Sequence, residues 1–213
     1  MGIYEKRIFP FILERQMNKG NYRRERNLTL PSVSGNILEI GFGTGLNLPH
    51  YPDHVEGIVA LDINPGMNAM ARKRMVESGL NVEYHCLNSE ALPFEKCSFD
   101  SVVSTWTLCS IADLKSALLE IHRVLRPTGK FIFLEHGLAE NLRMQKFQRW
   151  LTPAQKLVGC GCHLDREIDK LIRQAGFNIQ TLERFTMEGA STPLASSMYR
   201  GVATPQSDNH KQD

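Results

Sequence analysis

Several things this chain lacks narrow it before anything it contains. No apolar run approaches the roughly 20 residues that a membrane span needs, so none is expected. The start carries no apolar signal-peptide core, because Glu5, Lys6, Arg7, Glu14 and Arg15 interrupt it. Neither sign of charge dominates. The 25 basic and 23 acidic side chains leave a net charge of +2, which gives no general case for nucleic acid binding. Cysteine is scarce and odd in number. Cys86, Cys97, Cys109, Cys160 and Cys162 are unevenly spaced, unlike a secreted disulfide framework, so a reducing cytoplasm is the expected compartment.

What remains is an ordinary globular composition, and 213 residues suffice for one domain with an appendage. Residues 1–35 are the appendage. Ile3, Tyr4, Ile8, Phe9, Phe11, Ile12 and Met17 line one side of a helix interrupted near Pro10, and Lys6, Arg7, Arg15, Lys19, Arg23, Arg24 and Arg26 make the segment basic. The first reading is a lid that packs on the domain and covers its ligand site. The second is a helix making weak contact with a membrane surface.

From residue 36 the pattern alternates. "NILEIGFG", "GIVALDI", "NVEYHCL", "FDSVVST" and "KFIFLEH" read as short strands, with helical stretches such as "NPGMNAMARKRMVESG" and "DLKSALLEIHRVLRP" between them. That alternation predicts a parallel sheet covered on both faces. "DREIDKLIRQAGF" reads as a helix starting near Asp165, followed by two strands, "NIQTLERFT" and "SSMYRGVAT", paired as an antiparallel hairpin. The domain is expected to span residues 36–205, with residues 206–213 as a disordered polar tail.

"LEIGFGTGLN" puts Gly41, Gly43 and Gly45 directly after the first strand, where glycines allow a tight turn and close approach to a ligand. Its spacing is G-x-G-x-G, neither the dinucleotide fingerprint G-x-G-x-x-G nor a phosphate-cradling P-loop. Asp62 ends the second strand, where a carboxylate accepts hydrogen bonds from ribose hydroxyls. Its competing reading is a cap on the following helix.

The motifs "LEIGFGTG", "ALDINPGM", "NSEALPF", "SFDSVVSTWTLCSI" and "LLEIHRVLRPTGKFIFLEHG" resemble, in order and spacing, the class I S-adenosylmethionine-dependent methyltransferases. The resemblance implies a Rossmann-like α/β fold. Its seven-stranded, mostly parallel sheet has the order 3-2-1-4-5-7-6, an antiparallel last strand and helices on both faces. It also implies S-adenosylmethionine as cofactor. Gly41, Gly43 and Gly45 pass beneath its methionine part, Glu39 meets its amino group through water, and Asp62 holds the ribose. Ile63 and Met67 lie against the adenine, and Asn88, with Ser89 and Glu90, meets the adenine edge. Thr105 and Leu108 border the sulfonium. Asn88 departs from the family's frequent Asp, though its amide oxygen still accepts.

"LCSI", "EHG", "GCHLDRE", "LIRQAGF", "YRGVA" and "GLNLPHYP" are similar to bacterial relatives of the alkyl-thiol S-methyltransferases. That likeness implies a small-molecule thiol as methyl acceptor, hydrogen sulfide, methanethiol or another alkyl thiol. In "GCGCHLDRE" a zinc site would use Cys160, Cys162 and His163, but the C-x-C spacing without a second cluster predicts no metal. The loop reads either as tight packing or as a wall of the acceptor pocket, with Cys162, His163 and Arg166 facing the acceptor at the N-terminus of the next helix. His136, at the end of the fifth strand, is the candidate base or orienter. Alternative acceptors are a quinone precursor or a phospholipid amine, and an alternative of another class is a non-catalytic S-adenosylmethionine-binding module.

Overall fold

The computed structural model describes residues 2–190 and 192–206. Of the expected tail only Gln206 falls among them.

Seven strands form one sheet: β1 (Ile37–Ile40), β2 (Gly57–Leu61), β3 (Asn81–His85), β4 (Phe99–Thr105), β5 (Leu125–His136), β6 (Phe177–Thr186) and β7 (Ser197–Pro205). Their order is β3-β2-β1-β4-β5-β7-β6. The first five are parallel neighbours, while β7 runs antiparallel to both β5 and β6. Every residue of β1 is buried, as expected of a central parallel strand covered on both faces.

The helices are α1 (Phe9–Met17), α2 (Gly20–Thr29), α3 (Pro65–Ser78), α4 (Leu114–Val124), α5 (Leu142–Val158) and α6 (Ile168–Gln174). In α4, Leu114, Ala117, Leu118, Ile121 and Val124 are buried at helical spacing, and the Asp113 side chain caps the Ser116 N–H at 3.1 Å. The helix stops at Val124 and β5 begins at once, since Pro127 disfavours helical backbone in the residue before it. These helices bury one face of the sheet around Leu118, Ile121, Phe131 and Phe177. The other face is closed by Leu30, Val33, Ile58, Ala71 and Val103.

Two elements differ from the sequence reading. The helix expected near Asp165 begins only at Ile168, because the backbone at His163 and Arg166 is tied to other segments: His163 N–H donates to Cys109 O, and Leu138 N–H to Arg166 O. The 17-residue α5 has no counterpart in the sequence reading. It buries only the polar Gln148 and Thr152, and leaves Leu142, Phe147, Trp150, Leu157 and Val158 exposed. Its apolar pattern therefore does not mark a core face.

No helix among the described residues is long and apolar enough to cross a membrane. The carboxyl ends of β1, β2, β4 and β5 lie on one edge of the sheet. The order reverses between β1 and β4, which is where open α/β sheets bind ligands.

Candidate active site

A cavity of about 840 Å³ opens at that edge. It lies within the range of small-molecule sites. Its floor is the turn after β1. Gly41 has φ +74°, and a Cβ there would sit 2.0 Å from Thr107 Oγ1, so no side chain fits. At Gly43 a Cβ would meet nothing closer than Gly41 O at 3.9 Å: the backbone faces open cavity and forms a cradle. Gly45 instead packs toward Leu48 and Phe42, and it does not line the cavity.

Asp62 follows β2 and is fixed at both oxygens. Gly43 N–H donates to Oδ2 and Asn64 N–H to Oδ1, each at 2.7 Å. Burial pushes its carboxyl up, and those two N–H groups offset part of the rise. The cap of α3 is Asn64, whose Oδ1 accepts from Gly66 N–H at 2.9 Å. Asp62 is thus free of capping and keeps acceptor capacity toward the cavity. Ile63, Met67, Asn88, Ser89 and Glu90 continue this wall, and Ile63 is 54% exposed despite being apolar.

Glu39 sits at the bottom of the cradle, 1% exposed. Asn47 Nδ2 donates to its Oε1 at 2.9 Å and Tyr51 OH to its Oε2 at 2.6 Å. Burial nevertheless lifts its carboxyl to about 7, the two hydrogen bonds and the nearby Arg26 only moderating the rise. The same Asn47 donates to Thr105 Oγ1 at 3.0 Å and accepts from Arg26 Nε at 3.0 Å. Arg26, on α2, also stacks on Trp106 at 4.8 Å, and burial lowers it to about 10.

The appendage is therefore wired into the cradle. Glu14 of α1 accepts from Thr44 Oγ1 at 2.5 Å and pairs with Arg74 of α3, while Asn64 Nδ2 donates to Glu5 O at 2.9 Å. Tyr4, Phe9, Ile12, Leu13, Met17 and Tyr22 form an apolar roof over the cavity.

The opposite end of the cavity holds Cys109, His136 and Cys162, all buried. Cys109 lies in the loop after β4, His136 ends β5, and Cys162 follows α5. His136 Nε2 is 3.2 Å from Cys162 Sγ. One donor atom from each residue lies within 4.8 Å of the other two. For His136, burial favours the neutral ring, but the neighbouring Cys109 outweighs it and the net direction is upward. The Cys109 thiol is drawn well below its ordinary value, first by its hydrogen bond with Cys162.

The loop carrying Cys109 is tightly held. Glu135, fully buried, accepts from Ser104 Oγ at 2.8 Å and from Thr107 N–H at 2.9 Å, and burial lifts it to about 8. Trp106 adopts φ +50°, a left-handed conformation costly for an aromatic residue. Its N–H bond to Leu134 O at 2.8 Å and its ring contact with Tyr22 hold it there.

The comparisons with known proteins agree with this geometry. A methyltransferase domain family model matches residues 38–133. Human thiol S-methyltransferase TMT1A is 31% identical over 209 residues, covering 92% of this chain and 83% of that protein. Rat thiol S-methyltransferase TMT1B is 34% identical over 152 residues, 69% of this chain; the match takes in 62% of that protein, under two thirds of its length. The ubiquinone/menaquinone biosynthesis C-methyltransferase UbiE of Rickettsia bellii is 31% identical over 58% of this chain and 53% of that protein. Among solved structures, the methyltransferase in the Haloferax volcanii complex with the Trm112 activator superposes with a TM-score of 0.69 at 19% identity, over 95% of this chain and 96% of that one. At that identity the likeness shows the fold.

This chain is a class I S-adenosylmethionine-dependent methyltransferase. Its cofactor is S-adenosylmethionine, and the cradle fits it. The backbone at Gly43 faces open space, Asp62 retains acceptor capacity, and the exposed Ile63 offers an apolar surface to a base.

Of the residues singled out from sequence, the methyltransferase brings Glu39, Gly41, Gly43, Asp62, Ile63, Met67, Asn88, Ser89, Glu90, Thr105, His136 and Cys162 to one cavity. Leu108 is a correction: it is fully buried beneath the loop in the core, not on the wall. Neither His163 nor Arg166 lines the cavity. Arg166 donates to Leu108 O and, at 2.6 Å, to Ile111 O, and so braces the Cys109 loop. His163 lies 3.7 Å from Asp165, away from the wall. Sequence reasoning missed Cys109, although it lies in the quoted motif "LCSI", and missed Asn47, Tyr51, Arg26 and Glu135. Their places depend on contacts between distant segments.

Proposed function

We propose that this methyltransferase S-methylates a small apolar thiol. The observation that carries the reading is the acceptor end of the cavity, where three thiols, Cys109, Cys160 and Cys162, and the imidazole of His136 lie under an apolar roof. When bound, S-adenosylmethionine supplies an electrophilic methyl group on a sulfonium.

The chain's own residues divide the remaining work. Asp62 accepts from the ribose hydroxyls, Ile63 and Met67 flank the adenine, and Asn88 with Ser89 and Glu90 faces its edge. Glu39 attracts the amino group, Gly41 and Gly43 let the backbone pass beneath the methionine part, and Thr105 borders the sulfonium. A thiol must be aligned in line with the methyl and must lose its proton to become a good nucleophile. The Cys109–His136–Cys162 cluster supports both needs, because it sets two sulfurs and an imidazole together beside the cavity, where the acceptor is aligned and loses its proton. Arg166 is a positioning residue that fixes the loop carrying Cys109. The similarity to thiol S-methyltransferases over 92% of the chain supports the same acceptor class. The UbiE match, over 58% of the chain, keeps a quinone precursor as the second reading.

The roof segment 1–35 serves as a lid, and its outer side supports weak contact with an anionic membrane surface. Phe11 (67% exposed), Trp150 (75%) and Leu157 (82%) point outward. Exposed Lys6, Arg7, Arg15, Arg143, Lys146, Arg149 and Lys156 lie on the same segments. Tyr4 OH joins the two by donating to Val158 O at 2.8 Å. An apolar face ringed by basic side chains matches an anionic bilayer.

The test is the purified chain incubated with S-adenosylmethionine and a panel of alkyl thiols, quinol precursors, amines and lipids. Thiols are expected to be turned over preferentially. Turnover of a quinol precursor alone would replace the thiol reading, and cofactor binding without any turnover would favour a non-catalytic module.

A further inference from the structure

The sequence predicts no metal, judging only the ligands it could pair by spacing: Cys160, Cys162 and His163. The fold makes a different set. Cys109, His136 and Cys162 are 53 residues apart in sequence from first to last, yet their donor atoms lie within 4.8 Å of one another, all three side chains being buried. Two sulfurs and one imidazole nitrogen form a soft-to-borderline donor set, which selects zinc-class ions over magnesium or calcium. Tetrahedral bonds of zinc to sulfur and nitrogen put neighbouring donors about 3.3–3.8 Å apart. The Cys162 Sγ to His136 Nε2 separation of 3.2 Å falls just below that spacing, so a shift of a few tenths of an ångström would seat an ion.

The three donors come from three rigidly held places. Cys109 is in a loop strapped by Glu135 and Arg166, His136 is at the end of a central strand, and Cys162 accompanies the His163 N–H to Cys109 O bond at 2.8 Å. Such anchoring preorganises ligands.

We propose that Cys109, His136 and Cys162 bind one zinc-class ion whose fourth position faces the cavity and receives the acceptor sulfur. Three protein ligands with one open position is the arrangement of catalytic rather than structural zinc. All three residues line the cavity, so the open position faces ligand space. On entering, the acceptor displaces a water from the ion. Its S–H bond breaks, the proton passes to water, and a sulfur–metal bond forms with no change of oxidation state. The sulfur keeps an electron pair for the methyl group, and the neutral thioether formed is a weaker ligand that leaves. The metal site stands on the geometry alone, while the identity of its fourth ligand rests on the thiol reading above.

The test uses the full chain without a histidine tag. Elemental analysis of the purified protein is expected to find zinc, and the metal-free protein is titrated with cobalt(II). Wild type is expected to show a thiolate-to-cobalt charge-transfer band and intense tetrahedral d–d bands that saturate at one cobalt per chain. Cys109→Ser, Cys162→Ser and His136→Asn should each weaken uptake by about 100-fold or more, whereas Cys97→Ser, an exposed cysteine, should not. S-adenosylmethionine calorimetry and far-ultraviolet circular dichroism verify that each variant is folded. Added ethanethiol should shift the cobalt bands.

Absence of saturable cobalt bands in wild type, or unchanged bands in a folded Cys109→Ser/Cys162→Ser double variant, overturns the metal site. Wild-type thiol turnover by zinc-free protein does so too, and leaves the thiol reading intact. Saturable cobalt bands that ethanethiol does not move, in a protein that methylates no thiol, keep the metal site and overturn its thiol ligand.

Discussion

The two ends of the cavity are built in different ways. The cofactor end comes almost entirely from residues 39–67 and 88–90, consecutive turns at the ends of adjacent parallel strands. The bonds that aim Asp62 are short-range or cross one strand pair, Gly43 N–H to Asp62 and Asn64 N–H to Asp62, and the appendage adds its contacts from outside. The acceptor end is assembled from α1, the loop after β4, the end of β5 and the turn after α5. One end is therefore a local motif and the other a product of tertiary packing. Residues at each end should accordingly affect one ligand and spare the other.

The largest separation is expected at His136. His136→Asn keeps the approximate size of the ring but removes its basicity, so methyl transfer to thiols should fall by about 100-fold or more. Affinity for S-adenosylmethionine should stay at the wild-type level. Calorimetry showing that cofactor affinity collapses along with turnover would mean that the two ends do not act independently.

Asp62 tests the converse. Asp62→Ala removes the ribose acceptor, at a cost of about 1–3 kcal/mol or roughly 5–150-fold in cofactor affinity. The Michaelis constant for the thiol at saturating cofactor should not change. Unchanged cofactor affinity would place the ribose elsewhere.

This division also explains what could be read from the sequence. The strands and the cradle were legible because strand-sized apolar runs, a G-x-G-x-G turn and Asp62 at a strand end are local signals, while the strand order came with the family resemblance of the motifs. Cys109 was not legible as a partner of Cys162, since nothing in a linear spacing of 53 residues tells that two loops zip together. His163 and Arg166 are close to Cys162 in sequence, yet the His163 N–H and the Arg166 side chain brace the Cys109 loop instead of lining the cavity. α5 went unread because its apolar residues face out and its buried ones, Gln148 and Thr152, are polar. Gln148 Nε2 donates to Gly137 O and to Leu194 O, contacts no periodicity reveals.

That outward face offers the next distinction. Trp150→Glu places a charge in the exposed apolar face, and losing the ring's burial in lipid costs about 1.5–3 kcal/mol, so binding to anionic vesicles should drop by roughly tenfold or more. Turnover of a water-soluble thiol should be unaffected, because Trp150 does not line the cavity. Cosedimentation with vesicles of mixed anionic and neutral phospholipid gives the readout. Equal vesicle binding by both proteins would leave α5 without a membrane role.

The smallest effect on ligand binding belongs to Glu39, and its sign differs between binding and stability. Burial holds its carboxyl at about 7, against an ordinary 4.5. Between those values the folded chain keeps a proton that the unfolded chain has released. Its contribution to stability is therefore fully present below pH 4.5 and is lost as pH rises through 7, by about 3 kcal/mol in all. Binding runs the other way. The cofactor's ammonium favours the ionised carboxylate, so affinity should increase several-fold from pH 6 to pH 7.5, a window in which most of the ligand's own amino groups stay protonated. Glu39→Gln should flatten both profiles: its unfolding free energy should fall less between pH 5 and pH 8, and its cofactor affinity should no longer rise with pH. Denaturant titrations and calorimetry across that range supply the two curves. A cofactor affinity that still rises with pH in the Glu39→Gln protein would assign the titration to another group and remove Glu39 from the amino-group contact.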